Sequence, residues 1–244
     1  MLPLLLFGIP LLALSVEAFK SGELGSAITS PLVQEALRVS LLTTTLALIV
    51  TVVLGTPLAW ILARKDFPGK ALVNTLVDLP LVLPPAVAGV ALLMAFGRNS
   101  VLGGFFLEDG LAFSTTAVVL AQVFVAAPFY IRSATTGFQG VNIELEQVAA
   151  SLGASKIRVF REITLPLARP ALVAGSVMCW TRALGEFGAT IMFAGSLPGK
   201  TQTMPLAIYA AMESNWVEAL ALSMLLILTS VLVLLGIRKV KHAA

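Results

Sequence analysis

Cysteine, histidine and charge are all scarce in this sequence of 244 residues. The single cysteine, Cys179, cannot close an intrachain disulfide, and inside an apolar run its simplest role is that of a small packing residue. The single histidine, His242, stands near the C-terminal end, so the apolar runs hold neither a metal constellation nor a His-based nucleophile and base. No catalytic residue, metal or bound cofactor is expected of this chain. Charged residues make up 12%, against roughly a quarter in ordinary soluble domains, which excludes a soluble globule. The excess of Lys and Arg (16) over Asp and Glu (13) is small. No stretch joins clustered bases to interleaved aromatics, which argues against a nucleic-acid partner.

What is abundant is apolar surface, 58% of residues. It falls into runs long enough to cross hydrocarbon at about 1.5 Å per residue. They cover residues 2–19, 39–62, 79–97, 114–131, 171–194 and 216–237. The pattern predicts an all-α integral membrane protein, one transmembrane domain over 1–244 with six spans and lipid as its solvent. The first run could instead be a signal peptide. No Lys or Arg precedes it and Val16-Glu17-Ala18 makes a poor cleavage site, so a retained helix is expected.

The connection over 132–170 is the longest and most charged. Assigning it to the cytoplasm groups Arg132, Lys156, Arg158, Arg161 and Arg169 with Arg64, Lys65 and Lys70, and with Arg238, Lys239 and Lys241. Only Lys20, Arg38, Arg98 and Lys200 fall on the outer side, beside the acids Glu108 and Asp109 among others. That asymmetry predicts both termini in the cytoplasm. Prolines recur in the spans, and the pair Pro84-Pro85 in the third frees backbone carbonyls at depth. Such carbonyls need a packed protein neighbour or a wet cavity, and both readings stand.

Within the long connection Leu145, Val148, Ala149 and Leu152 follow the spacing of one helical face. Asn142 is placed to cap that helix and Gly153 to stop it. Ser155 is placed to begin a second short helix, with Ile157 and Phe160 inward, closed by Pro166. Two such helices suit either a partner's grip or a bed of lipid headgroups.

The segment Glu144 to Pro166, ELEQVAASLGASKIRVFREITLP, resembles the signature of ABC importer permeases: Glu-Ala-Ala, three residues, Gly, nine residues, then Ile-x-Leu-Pro. Gly153, Ile163, Leu165 and Pro166 match. The triplet departs, with Gln147, Val148 and Ala149 in its register and Glu146 one residue early. The resemblance implies a type I importer permease fold, with this loop as the coupling helix seated in a cleft of the ATP-binding subunit. Glu144, Glu146, Gln147, Ala149, Ala150, Ser151, Leu152, Gly153 and Ala154 would then meet that subunit. Either Glu146 substitutes for the family's acidic residue, or that contact is neutral here.

Arg182 to Tyr209, RALGEFGATIMFAGSLPGKTQTMPLAIY, is similar to the corresponding region of molybdate and tungstate importer permeases, with sulfate importer permeases as relatives. This implies a homodimer with two cytoplasmic ATPase subunits, which bind ATP and Mg, and an extracytoplasmic oxyanion-binding protein. Within the segment, Ala194 to Thr201 comes one residue from a phosphate-binding P-loop. It follows a membrane helix rather than a strand, and is rejected as one.

Arg182 falls about 18 Å into a span counted from Pro170, with Glu186 four residues on as the natural partner. The pair either holds the bundle together or lends the pathway a positive field for an anion. Ala171, Gly175, Cys179 and Ala183 make a small-residue stripe whose default role is close packing. An ion-coupled secondary transporter is the rival class, but Glu186 is the sole acid deep in a predicted span and no inverted repeat is visible.

Overall fold

The computed structural model describes residues 2–98, 100 and 110–242, and among these every element is a helix. Glu108 and Asp109 lie outside the described residues. The N-terminal helix α1 (Leu2–Lys20) and the short α2 (Leu24–Ile28) lead into α3 (Pro31–Arg64). Ser30 starts α3 by accepting from the Val33 amide at 3.4 Å, and Pro31 takes an opening position where its missing N–H costs nothing. Then come α4 (Lys70–Val82), α5 (Pro85–Phe96), and α6 (Thr115–Gln139), capped by Ser114. Next, α7 (Ile143–Ser151) and α8 (Lys156–Val159) precede a π-helical turn, Phe160–Thr164, that continues without interruption into α9 (Leu165–Leu184). The chain closes with α10 (Gly188–Ala194), α11 (Met204–Ser214) and α12 (Trp216–His242).

Among the described residues, 4 helices are long and apolar enough to cross a membrane: Pro31–Arg64, Thr115–Gln139, Lys156–Leu184 and Trp216–Val233. The first expected run forms α1, of 19 residues, which leans on α12. The third, expected over 79–97 as one span, is divided. Leu83 and Pro84 are both extended between α4 (13 residues) and α5 (12 residues), so each piece reaches only about 20 Å. The residue before a proline is pushed out of the helical region, which is why the break falls at Leu83.

The fifth run differs most from expectation. The helix begins at Lys156 and stops at Leu184, with a separate α10 after it. Pro166 does not close a short helix as expected. It occupies the first turn of α9, where the π-helical turn supplies a start inside a continuous rod and no N–H is missed.

Helix α6 is the hub. One core joins it to α3 and α9 through Ala59, Leu62, Ala126, Tyr130, Ala134, Phe138, Cys179 and Ala183. A second joins it to α5 and α10 through Ala88, Leu92, Val118, Ala121, Ala189 and Phe193. The third gathers α3, α9, α11 and α12 around Val33, Ala36, Leu184, Met204 and Leu222. Alanine dominates because lipid gives no hydrophobic drive between helices, and close van der Waals approach must supply the adhesion.

The stripe on α9 closes against α6 in this way and leaves no pore there. A Cβ at Gly175 would lie 2.7 Å from the Ser133 Cβ, and one on Gly137 of α6 would lie 2.5 Å from the Ala171 Cβ. Gly175→Val is therefore expected to cost about 1–3 kcal/mol of stability by overpacking. A lowered aggregation temperature of the detergent-solubilised chain checks this. Gly25→Val, where nothing lies within 4 Å of the added Cβ, serves as the unaffected control.

Candidate functional site

Two places bring the predicted site residues together: the loop over residues 140–164, and a junction of broken helices between α4–α5 and α9–α10. In the loop Asn142 caps α7 by accepting from the Glu144 amide at 2.9 Å. The stop is a full glycine motif. The Ala154 amide reaches the Ala149 carbonyl (3.1 Å), the Gly153 amide reaches Ala150 (3.0 Å), and Gly153 holds a φ of +89°. Nothing lies within 4 Å of a Cβ at Gly153, so only its backbone conformation demands glycine.

None of the α7 side chains is buried. The expected apolar face is left uncovered by the rest of the chain, with Leu145 and Val148 exposed and Leu152 83% exposed, while Ala149 is half-buried. Glu146, Gln147, Ala150 and Ala154 instead line a cleft of about 520 Å³ between α7, the end of α3 and the π-helical turn. Ser151 donates to the Val148 carbonyl at 2.8 Å, and Glu144 accepts from the Asn142 side chain at 3.4 Å. Of the docking set, Leu152 thus joins Leu145 and Val148 in an outward apolar ridge, while Glu146, Gln147, Ala150 and Ala154 face the cleft. In the second short helix Phe160 turns inward as expected, against Trp60 (ring centroids 6.3 Å apart) and Phe138 (6.0 Å), whereas Ile157 is exposed.

Glu146 belongs to the inward edge. One of its carboxylate oxygens accepts from Arg64 at 2.8 Å and from the Thr164 hydroxyl at 2.7 Å, while Arg64 also donates to the Val141 carbonyl at 3.0 Å. This strut ties the loop to the last turn of α3 and to the π-helical turn. The sequence left Glu146 either as a substitute for the family's acidic contact or beside a neutral one; within this chain its carboxylate is held by Arg64 and Thr164. At the neighbouring α3–α4 turn, the hydrogen bond from Lys70 to exposed Asp66 holds that carboxyl below its ordinary range.

At the second place Arg182 and Glu186 pair at 2.8 Å, though not along one helix. The α-helix ends at Leu184, and Glu186 sits in the break, where its other oxygen accepts from the Ala189 amide at 2.8 Å and starts α10. Glu186 is 1% exposed and Arg182 31%. The buried charge is satisfied twice by this chain, and the arginine keeps an open side. The break meets the other broken helix: a Cβ on Gly188 would lie 2.7 Å from the Pro85 Cβ, and one on Gly89 of α5 would lie 2.7 Å from the Ala189 carbonyl. Pro85 therefore abuts the Arg182–Glu186 break, while Pro84 and Pro85 both stay exposed within this chain.

A third polar cluster went unseen in the sequence. Arg132 lies within α6, not in a loop, and grips Asp78 of α4 through two hydrogen bonds of 2.6 Å while donating to the Asn74 side chain (2.9 Å) and carbonyl (3.0 Å). Asp78 stood one residue outside a predicted span, and α6 outran its apolar run by two turns. The pair is half-exposed, at 34% and 47%. The glycine-rich 194–201 segment folds on itself, its Thr201 hydroxyl accepting from the Leu197 amide at 2.9 Å, after a helix and not a strand. Among the described residues no three His, Cys, Asp or Glu side chains gather as a metal site would need.

Comparison with known proteins gives this architecture a family. The model of the binding-protein-dependent transport system inner membrane component matches residues 55–241. The molybdenum transport system permease protein ModB of Mycobacterium tuberculosis (strain ATCC 25618 / H37Rv) is 45% identical over 212 residues, covering 86% of this chain and 80% of that protein. The molybdate/tungstate transport system permease protein WtpB of Pyrococcus abyssi (strain GE5 / Orsay) is 44% identical over 167 residues, 68% of this chain and 63% of that protein. Among solved structures, a bacterial ABC transporter that imports the acidic polysaccharide alginate superposes with a TM-score of 0.77 at 17% identity, covering 99% of this chain and 91% of that one. A bacterial alginate ABC transporter in complex with an alginate pentasaccharide-bound periplasmic protein gives 0.74 over the same shares. The fold is that of an ABC transporter permease, and the chain belongs to the inner membrane components of binding-protein-dependent transport systems.

Proposed function

We propose that this chain is the membrane-spanning permease of an ATP-driven importer of molybdate or tungstate, working with separate ATPase subunits and an extracytoplasmic binding protein. The observation that carries the docking half of this reading is the outward ridge of Leu145, Val148 and Leu152 on a helix that buries none of its side chains. An apolar ridge held in solution by a capped start, a glycine stop and an ion-pair strut is built to be covered. The names of the relatives support the substrate.

In this reading the 140–164 loop is cytoplasmic, both termini lie on that side, and the span count is six. The third span is made of α4 and α5 end to end, and α1 supplies the first. ATP and Mg are held by the partner subunits, and this chain carries no catalytic site. The outward residues Leu145, Val148 and Leu152 seat in the ATPase. The inward ones, Glu146 with Arg64 and Thr164, pass its movement to α3 and α9. Arg182 faces the pathway with Glu186 fixing its position, and its positive charge favours an oxyanion at a junction of interrupted helices.

A second copy of the chain covers the α4–α5 face. Helix α4 buries no side chain within one copy, yet it carries the half-exposed Asp78–Arg132 pair. A charge pair facing hydrocarbon is expensive, so protein or a water-filled cavity belongs there.

Vesicles holding this chain with its ATPase and binding protein are expected to accumulate molybdate or tungstate only when ATP is supplied; uptake driven by an ion gradient without ATP would sink the proposal. Glu146→Gln weakens a charge-assisted strut of about 1.5–3 kcal/mol and is expected to lower transport per ATP hydrolysed by roughly tenfold, with the complex still assembling. Gly153→Val strains the turn by about 1–3 kcal/mol through its positive φ and is expected to uncouple hydrolysis from uptake in the same assay. Unchanged coupling in both variants would remove the loop from the mechanism.

A further inference from the structure

A groove of about 560 Å³ runs between α3 and the rod formed by α8, the π-helical turn and α9. Val52, Val53 and Trp60 form one wall, and Ile157 and Leu165 the other. Val53 and Ile157 are well exposed, and the apolar face of α3 continues past them through the exposed Ile49 and Leu46. The α3 wall lies four to twelve residues before Arg64, about 6–18 Å from the end of the helix. That is the depth of the upper part of an acyl chain below a headgroup.

The loop end of the groove is basic. Lys156 and Arg161 both line it and both are exposed. Arg158, between them in sequence, is neutralised by Glu162 at 3.0 Å. Among the described residues neither Lys156 nor Arg161 has an acidic partner. Trp60, edge-on to Phe160 in the same groove, is the residue type that settles at a membrane interface.

We propose that this groove binds one phospholipid with an anionic headgroup, its acyl chain along α3 and its phosphate between Lys156 and Arg161. Basic pockets between helices at a membrane face take such headgroups, each cation adding attraction. A helix of a second copy fits less well. The first turn of α1 carries no acid, so its apolar end would bring nothing to match two cations. The lipid bridges α3 to the π-helical turn, the two elements that the Arg64–Glu146–Thr164 strut also joins. The binding site stands on membrane placement alone and is independent of the transported substrate.

The test uses the full chain with Trp180 and Trp216 changed to Phe, so that Trp60 is the only tryptophan left. Its fluorescence is titrated in mixed micelles with brominated phosphatidylglycerol or brominated phosphatidylcholine. Half-quenching is expected at a roughly tenfold lower mole fraction of the anionic lipid, and Lys156→Gln with Arg161→Gln is expected to remove that preference at unchanged helix content. Equal quenching by the two lipids overturns the proposal, as does a preference that survives the double variant. Absence of quenching by either, with a disulfide forming between Val53→Cys and Leu6→Cys of different copies, would give the groove to a neighbouring α1 and overturn it equally.

Discussion

Hydrocarbon offers no hydrogen bonds, so every place where a helix stops or breaks inside this bundle must be satisfied by the chain itself. Two of the interruptions are met by a buried polar side chain. Glu186 accepts from the Ala189 amide at the start of α10 and from Arg182 at once. Ser40, buried in α3, accepts from the Met204 amide at 2.7 Å and opens α11. At the α4–α5 break the Pro84 carbonyl accepts the first helical bond of α5, from the Ala88 amide at 3.1 Å. Between the breaks, alanine and glycine let helices meet backbone to backbone, and the crossings hold the interrupted pieces in register.

That division of labour decides what could be read in advance. Apolar runs gave the long helices because length and composition are local properties. The caps at Asn142 and Ser155, and the stop at Gly153, were legible because each is a contact within a few residues. The helix ends inside the membrane were not. The apolar run carries on past Gly185 and Glu186 to Ala194, whereas in the structure α9 stops at Leu184, Glu186 caps the Ala189 amide, and Gly188 packs on Pro85. Pro166 misled for the converse reason. A proline usually ends a helix, but the π-helical turn before it is a tertiary feature with no sequence period of its own.

The same distinction separates the halves of the loop. The outward ridge of α7 shows as a pattern of spacing in one short segment. The direction of Glu146 depends on Arg64, 82 residues away, and on Thr164, 18 residues away. Arg132 and Asp78 are likewise 54 residues apart, and each looked like an ordinary charge at the edge of a run. Long-range ion pairs of this kind tie the loop to α3 and α4 to α6, and composition cannot display them.

The uninterrupted rod from Lys156 to Leu184 has 29 residues, hence a length of about 43 Å. One end is anchored in the loop through Thr164 and Phe160, and the other reaches the break that holds Arg182 and Glu186. Such a rod is a lever arm: tilting it by about 5° at the loop end displaces its far end by about 4 Å by simple geometry, using the rise per residue alone. Movements smaller than a side chain at the loop are thereby large enough, at the opposite end, to pull apart a pair of helices that touch at a glycine.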